Sequence, residues 1–277
     1  MSSPRLCSVV YASLMPHAPI LVPSVAGERV GKVQSTIDAM RETARRAIAT
    51  RPDALVLISP HAPRLHTAFG IWDGERLFGT LKLFGAPDEG VDFPSDAFLS
   101  DQIAQNAGRR GLRTEPIAGV ALDHGAVVPL WFLAEAGWSG PVVVLALSAT
   151  EDSRVVGLGE AVAEAAARVG KRVAFIASGD MSHRLTADAP CGFDARGAQF
   201  DQWLIGNLRR GAHRELLDFS PNLKRAAKED ALDCVLVGLG ATGFDAAGSE
   251  VLSYEGPFGV GYGVAILYYE SCSDKHA

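Results

Sequence analysis

The stretch ALVLISPHAP, residues 54–63, places an apolar run directly before a histidine that is held between two prolines. A second copy of this ending, YASLMPHAP, occupies residues 11–19. Short apolar runs rich in β-branched and aliphatic residues predict buried strands. Alanine before proline is restricted to extended or turn geometry. The pattern therefore predicts two strands that each end in a stiff loop carrying one histidine, His17 and His61.

Strand-like and helix-like segments alternate along the rest of the chain, which is typical of an α/β fold. Strands are predicted at 6–14, 54–59, 67–73, 79–85, 141–148, 172–180 and 259–270, and helices at 28–50, 95–110, 127–137, 154–169, 193–210 and 224–240. Near-continuous apolar strands indicate a sheet that is covered on both faces. Because no linker-like segment interrupts the pattern, we expect a single domain over residues 1–277. Its predicted fold is a three-layer α/β/α arrangement with a central mostly parallel or mixed sheet.

The composition excludes several classes of protein. The chain has 277 residues, 48% of them hydrophobic and 21% charged, with a net charge of -6. An acidic balance without basic runs argues against binding to nucleic acid or to an anionic membrane surface. The four cysteines form no CxxC pair, so neither a disulfide scaffold nor a zinc ribbon is predicted. No apolar run approaches the roughly 18 residues that span a bilayer. We expect a cytoplasmic protein.

Four histidines follow apolar stretches. His17 and His61 end the two PHAP strands, while His124 lies in GVALDHG and His183 in SGDMSH. Ligands bind beyond the carboxyl ends of the strands in open α/β sheets, and neutral imidazole is the commonest metal ligand in proteins. We therefore predict a metal site that contains His17 and His61. A carboxylate would complete the two-histidine, one-carboxylate set of non-haem Fe(II) oxygenases.

The sequence offers several candidates for that third ligand. Glu229 and Asp230 are adjacent on a predicted helix, so their side chains point about 100° apart and only one can face the site. Asp233 lies one turn beyond Glu229. Spacing alone does not choose among these and the other candidates, which are Asp180 and Glu255.

Other motifs favour simpler interpretations. GVGYG, residues 259–263, precedes a strand rather than a helix, so it does not predict a phosphate loop. The nucleophile elbow GxSxG is absent, which argues against a serine hydrolase. Tyr254 is expected to pack at a strand end or to hydrogen-bond a substrate phenol. Arg64 and Arg184 lie close to predicted site histidines, where they would either pair with a substrate carboxylate or be solvated.

Five motifs, in order, resemble those of class III extradiol ring-cleavage dioxygenases of the LigB type and of their Memo-like relatives. They are PHAPILVP, LISPHAP, LDHGAVVPL, SGDMSHRLT and SYEGPFGVGYG, and the resemblance runs from about residue 10 to residue 269. It implies that Fe(II) is bound by His17, His61 and Glu229. Some Memo-like relatives have a cysteine in place of the carboxylate, which keeps Cys191 and Cys234 as alternatives. It also implies that His183 is the acid/base residue and that His124 lies near the substrate and O₂. The expected partners are a small aromatic substrate and O₂, with a second copy of the chain or a small companion subunit as a further possibility.

Three functions follow as hypotheses. The first is an Fe(II)-dependent extradiol-type dioxygenase that opens the ring of a catechol or an o-aminophenol. The second is a Memo-like metal-binding or interaction protein without ring cleavage, although an acid/base pair such as His183 and His124 has less use there. The third is a zinc-dependent hydrolase on the same ligands, since zinc also accepts two histidines and a glutamate.

Overall fold

The computed structural model describes residues 8–63, 65, 67–148 and 154–270. Its centre is a sheet of eight strands, and a separate two-stranded hairpin packs beside it. The strands are β1 (Val9–Met15), β2 (Ala54–Ser59), β3 (Phe69–Asp73), β4 (Arg76–Leu81), β5 (Ala86–Pro94), β6 (Thr114–Ala118), β7 (Val142–Ala146), β8 (Val173–Ser178), β9 (Glu250–Glu255) and β10 (Tyr262–Tyr269).

The large sheet is mixed. Its strands follow the order β6-β3-β7-β2-β8-β1-β10-β9, and β4 pairs with β5 in the hairpin. The central strands β7, β2, β8 and β1 run parallel to one another. Antiparallel pairing begins where β3 joins β7 and where β10 joins β1. Every residue of the four central strands is buried, as expected for parallel strands with both faces covered.

Helices cover both faces of the sheet. They are α1 (Pro23–Ala26), α2 (Gln34–Ala49), α3 (Ala97–Arg109), α4 (His124–Glu135), α5 (Val155–Val169), α6 (Ala195–Arg209), α7 (Pro221–Ala227) and α8 (Leu232–Ala241). Alternate side chains of a strand point to opposite faces. Val56 and Ile58 of β2 accordingly pack with α3, α5, α6 and α8. Leu55 and Leu57 pack with α2, α4 and the β4–β5 hairpin. The predicted three-layer α/β/α fold is confirmed.

Several strands and helices differ from the predictions. The helix predicted at 127–137 spans His124–Glu135, and the strand predicted at 79–85 is β4, which ends at Leu81 before a 3₁₀ turn. Strands β5, β6 and β9 were missed because prolines or charged residues interrupt or bound their short apolar runs. The helix predicted at 28–50 begins only at Gln34, after a 3₁₀ turn at Gly27–Lys32. The helix predicted at 224–240 is two helices, α7 and α8, and the turn between them belongs to the candidate site. Among the described residues, no helix is long and apolar enough to cross a membrane.

Candidate metal centre

The histidines of the two PHAP motifs come from strands on either side of β8. Because β8 pairs in parallel with both β1 and β2, the carboxyl ends of all three strands meet at one edge of the sheet. His17 lies two residues beyond β1, and His61 lies two residues beyond β2. Ala18 has φ -57° and ψ 125°, the extended conformation that a following proline favours. The two loops therefore bring their histidines together across the end of β8.

Three imidazole rings meet at this edge. Nε2 of His17 lies 2.9 Å from Nε2 of His61. His124, the first residue of α4, places its ring centroid 4.4 Å from that of His61 and 5.5 Å from that of His17. One nitrogen from each ring lies within 4.8 Å of the others. This donor set can hold a metal ion. Since His17 is buried and the His61 side chain is 36% exposed, the cluster is reached from the His61 side.

Asp230 adds a carboxylate to the three rings. Its Oδ2 lies 3.2 Å from Nε2 of His61 and 3.7 Å from Nε2 of His17. Two hydrogen bonds hold it against the end of β8: the Asp180 N–H donates to Oδ1 of Asp230 at 2.7 Å, and the Asp230 N–H donates to the Asp180 carbonyl at 3.1 Å. Gly179 permits this approach, because a Cβ there would lie 2.4 Å from the backbone of the residue after Asp230.

The turn between α7 and α8 decides which carboxylate faces the histidines. Lys228 adopts a left-handed conformation with φ 55°, so Glu229 and Asp230 lie in a turn rather than on one helix. Oε2 of Glu229 accepts hydrogen bonds from the backbone N–H groups of Ala231 at 2.8 Å and Leu232 at 2.7 Å. Glu229 thus caps α8. Glu229 remains the predicted metal ligand, but the carboxylate that lies beside His17 and His61 in the structure is that of Asp230.

Asp180 stays close to the cluster, with its Oδ2 3.9 Å from Nε2 of His17, whereas Asp233, Glu255 and the buried thiol of Cys234 are engaged elsewhere. Oδ1 of Asp233 accepts a hydrogen bond from the Lys224 ammonium at 2.6 Å. Oε1 of Glu255 accepts from the backbone N–H of Thr36 at 2.9 Å and from its hydroxyl, in the first turn of α2. Cys234 is buried within α8. Neither the Asp233 contact nor the Glu255 contacts involve the three rings.

Burial and mutual charge set the protonation of the cluster. Burial works against ionisation of Asp230, but the adjacent His17 and His61 outweigh it and hold its pKa at about 2. The same pairing raises the pKa of His61 despite its burial. Asp180 is fully buried, and burial together with the Asp230 charge raises its pKa. Burial, followed by the charges of His17 and His61, lowers the pKa of His124 to about 3. Asp230 is therefore ionised and His124 neutral at physiological pH.

His183 lies in the loop after β8, next to the acidic side of the cluster. Its N–H donates to the Ala227 carbonyl at 3.0 Å, and its carbonyl accepts from the N–H of the exposed Cys191 at 3.2 Å. The His183 imidazole is near enough that, when protonated, it adds to the influences that lower the pKa values of Asp180 and Asp230. Nδ1 of His183 is buried without a hydrogen-bond partner among the described residues.

Asp201, on α6, anchors this loop and was missed by the sequence analysis. Its Oδ1 accepts from the Ser182 N–H at 2.9 Å, and its Oδ2 accepts from the Tyr254 hydroxyl at 2.8 Å. Burial raises the pKa of Asp201 to about 6, although both hydrogen bonds oppose the rise. The sequence feature that could have identified Asp201 is an aspartate on the apolar face of a predicted amphipathic helix. Tyr254 bonds to this carboxylate, which gives its hydroxyl a structural partner.

Ser178 and Phe84 are further neighbours of the cluster that the sequence analysis did not single out. The Ser178 hydroxyl oxygen lies 2.9 Å from Nδ1 of His17. The Phe84 ring centroid, in the turn between β4 and β5, lies 5.1 Å from that of His124. Only tertiary packing brings Phe84 there, so no local pattern marks it.

Of the two arginines predicted near the site, the structure describes only Arg184. Arg184 directs its guanidinium to Asp194 at 3.4 Å and to the carbonyls of Ala226 and Phe193 at 3.5 and 3.4 Å. It packs against its own loop rather than standing solvated. Arg64 lies outside the described residues.

The chain is similar to two curated proteins and to a solved structure. The chain is 31% identical over 263 residues, or 92% of its length, to a protein of Clostridium acetobutylicum whose name states no activity, and it covers 56% of that protein. It thus spans about half the length of this relative. It is 25% identical over 229 residues to the 3,4-dihydroxyphenylacetate 2,3-dioxygenase of Escherichia coli, covering 77% of this chain and 82% of that enzyme. The crystal structure of an uncharacterised Escherichia coli K12 protein superposes with a TM-score of 0.62 at 15% identity, over 93% of this chain and 98% of that one.

The sheet edge gathers three histidines and a carboxylate, a donor set that is able to hold a metal ion. The family model described as the catalytic LigB subunit of aromatic ring-opening dioxygenase matches residues 11–265. The chain belongs to this LigB family.

Proposed function

We propose that the chain is a non-haem Fe(II) extradiol-type dioxygenase that opens the ring of a catechol or an o-aminophenol with O₂. The observation that carries the proposal is the convergence of Asp230 with His17 and His61, with nitrogen–oxygen distances of 3.7 and 3.2 Å, in a chain of the LigB family. Two imidazoles and one carboxylate with open positions are the donor set of non-haem Fe(II) oxygenases.

The residues present fit a cation. Nε2 of His17, Nε2 of His61 and Oδ2 of Asp230 lie 2.9, 3.2 and 3.7 Å from one another, and each atom can offer a lone pair to a bound cation. We therefore propose these three as the iron ligands, with Asp230 in the place predicted for Glu229. When bound, Fe(II) would hold the two adjacent heteroatoms of the substrate beside O₂ and favour the deprotonated substrate.

His183 is proposed as the acid/base residue. It lies near the ionised part of the cluster, and its backbone is held on both sides by the N–H and carbonyl hydrogen bonds of its loop. Its buried Nδ1 has no partner among the described residues, so we assign proton transfer to Nε2. This nitrogen would accept the proton of the substrate hydroxyl and return it to oxygen later in the reaction. General acid–base catalysis of this kind contributes about 10²–10⁴-fold.

His124 and Phe84 are proposed to bind the aromatic ring. Their rings form a tilted pair with centroids 5.1 Å apart, and Phe84 is 41% exposed, so its free face is open to a ligand. Aromatic rings prefer centroid separations of about 4.5–7 Å. A neutral His124 would donate a hydrogen bond to a substrate or product oxygen, and Phe84 would pack against the aromatic ring of the substrate.

A zinc-dependent hydrolase is the second candidate, and the three-histidine arrangement favours it. His17, His61 and His124 have ligand atoms within 4.8 Å of one another, and three histidines with an open position form a zinc site in known enzymes. This alternative requires His124 to be a ligand. The dioxygenase proposal instead requires Asp230.

The testing experiment measures metal content and oxygen uptake together. Protein purified without oxygen is analysed by mass spectrometry for bound metal, beside the His17→Ala/His61→Ala double variant. Wild type is expected to hold about one iron per chain after Fe(II) loading and the variant none, as a single mononuclear site predicts. Oxygen uptake is then followed with catechol and 2-aminophenol, with resorcinol as the control because its hydroxyls are not adjacent.

The outcomes separate the hypotheses. Iron in wild type with uptake on catechol or 2-aminophenol, and none on resorcinol, supports the proposal. Zinc alone, with no uptake after Fe(II) reconstitution and loss of metal in His124→Ala, favours the hydrolase. Tight iron binding without uptake on any ring substrate would support the Memo-like metal-binding protein instead.

A further inference from the structure

Ser178, the last residue of β8, links His17 to the first turn of α4. Its hydroxyl donates a hydrogen bond to the carbonyl of Gly125 at 2.5 Å and lies 2.9 Å from Nδ1 of His17. Ser178 is fully buried and His17 is 1% exposed, so water does not compete for these bonds. We propose that Ser178 is a positioning residue that fixes the ring proton of His17 on Nδ1 and leaves the Nε2 lone pair for the metal. This inference rests on the proposed function.

The direction of the hydrogen bonds follows from the groups involved. A carbonyl oxygen only accepts, and a serine hydroxyl has one proton to donate. The contact with Gly125 therefore uses the Ser178 proton, so towards His17 the serine oxygen acts as an acceptor. Nδ1 of His17 must then carry a hydrogen. Since a neutral imidazole carries only one ring hydrogen, Nε2 is left with its lone pair.

The sequence explains why the Gly125 carbonyl is available. In an α-helix this carbonyl would accept from the N–H four residues later. That residue is Pro129, which lies inside α4 and has no N–H. The carbonyl is thus left for Ser178. A proline in one helix in this way determines the direction of a hydrogen bond to a histidine on another loop.

Nε2 of His17 is the nitrogen that faces the cluster. It lies 2.9 Å from Nε2 of His61 and 3.7 Å from Oδ2 of Asp230. A hydrogen on this atom would occupy the position of the cation. The His17 N–H also donates to Oδ1 of Asp180 at 2.9 Å, which holds the backbone while Ser178 holds the ring. Hydrogen bonds to the second nitrogen of a metal-binding histidine fix its tautomer and orientation.

The first test measures the tautomer in metal-free wild type, where neither iron nor turnover is involved. Protein labelled with ¹⁵N-histidine is studied by long-range ¹H–¹⁵N correlation up to about pH 9, where imidazoles are neutral. The His17 signals are identified by their loss in His17→Ala. We expect the hydrogen on Nδ1. A hydrogen on Nε2 in wild type overturns the inference without any other variant.

The second test uses three serine variants. Ser178→Ala removes the acceptor, so the Nδ1–H population should fall and Fe(II) affinity should weaken by about 10–100-fold. Ser178→Thr keeps the hydroxyl and should restore both. Ser59→Ala is the matched control: Ser59 is equally buried at the end of β2, where its hydroxyl donates to Oδ1 of Asp123 at 2.7 Å and accepts from the backbone N–H of His61 at 3.3 Å, so it holds the other histidine loop without contacting the His17 ring. The His17 tautomer should not change there.

The results distinguish this inference from the proposed function. An unchanged His17 tautomer and unchanged Fe(II) affinity in Ser178→Ala would refute the role of Ser178 while leaving the dioxygenase proposal standing. A change of the His17 tautomer in Ser59→Ala as large as that in Ser178→Ala would also refute the role of Ser178, because the effect would then come from general loosening of the strand ends. If wild type binds no Fe(II), the proposed function fails, and the tautomer measurement still decides the role of Ser178.

Discussion

Replacing Asp230 by asparagine should cost far more metal affinity than replacing Glu229 by glutamine. Oδ2 of Asp230 lies 3.2 and 3.7 Å from the Nε2 atoms of His61 and His17, so a cation bound by these nitrogens is within about 4 Å of this oxygen. At that distance two unit charges interact by about 4 kcal/mol at an effective dielectric constant of 20, and the doubly charged Fe(II) interacts with the carboxylate at least this strongly. Asp230→Asn should therefore weaken Fe(II) binding by at least about 10³-fold.

Glu229→Gln is the matched control. The amide oxygen can still accept from the N–H groups of Ala231 and Leu232, which now bond to Oε2 of Glu229. Burial raises the pKa of Glu229 to about 8, so the substitution removes little negative charge at neutral pH. We expect Fe(II) affinity within about threefold of wild type, less than 1 kcal/mol.

Both affinities are measured without oxygen by competition against a chromophoric Fe(II) chelator, with circular dichroism to show that each variant is folded. The reasoning would be refuted if Glu229→Gln lost the metal and Asp230→Asn retained it. That result would return the ligand role to Glu229, as the family resemblance implied. Equal losses in both variants would show that the turn as a whole, rather than one carboxylate, determines binding.

Three other predictions concern the surroundings of the metal ligands. His183→Ala should retain Fe(II) but slow single-turnover ring cleavage by about 10²–10⁴-fold; wild-type rates would contradict its role. Phe84→Ala should raise KM for a catechol with unchanged Fe(II) affinity, and an unchanged KM would remove Phe84 from the substrate pocket. Burial raises the pKa of Asp201 from 3.8 to about 6 in the folded protein, so this carboxyl ionises more readily in the unfolded state. The free energy of unfolding of the wild type, relative to that of Asp201→Asn, should therefore fall by up to about 3 kcal/mol as the pH rises from 4 to 7. Urea unfolding of both proteins at several pH values tests this, and a constant difference would disprove it.

The sequence predicted the two PHAP histidines because their signal is local. An apolar run predicts the strand, and the following prolines predict the stiff loop. Sheet order is not a local property. The position of β8 between β1 and β2 depends on pairing between residues far apart in the chain, such as Met15 with Ser178. The sequence therefore indicated which histidines end strands but not that the two loops meet.

The third ligand illustrates the limit of periodicity. The segment 224–240 keeps helical spacing and contains no proline or glycine before Gly238, so it predicts one helix. The structure instead breaks it at Lys228, whose left-handed backbone is unfavourable for a residue with a Cβ. The unfavourable backbone conformation of Lys228 is offset by two sets of hydrogen bonds. Glu229 accepts two from the first N–H groups of α8, and Asp180 and Asp230 exchange two with each other. Only tertiary contacts specify the break, so the sequence left Glu229 and Asp230 unresolved.

The proposed metal ligands and the proposed substrate-binding residue Phe84 lie on different parts of the fold. The proposed ligands and His183 all lie at or against the ends of β1, β2 and β8, three paired and fully buried strands. Such a frame can hold atoms close to fixed positions, as metal binding and proton transfer require. The β4–β5 hairpin is a separate sheet, and its turn presents Phe84 to His124 with the 87% exposed Leu83 beside it. Changes in this hairpin can therefore alter which ring is accepted without moving the metal ligands, so substrate preference should vary more readily than metal binding among similar chains.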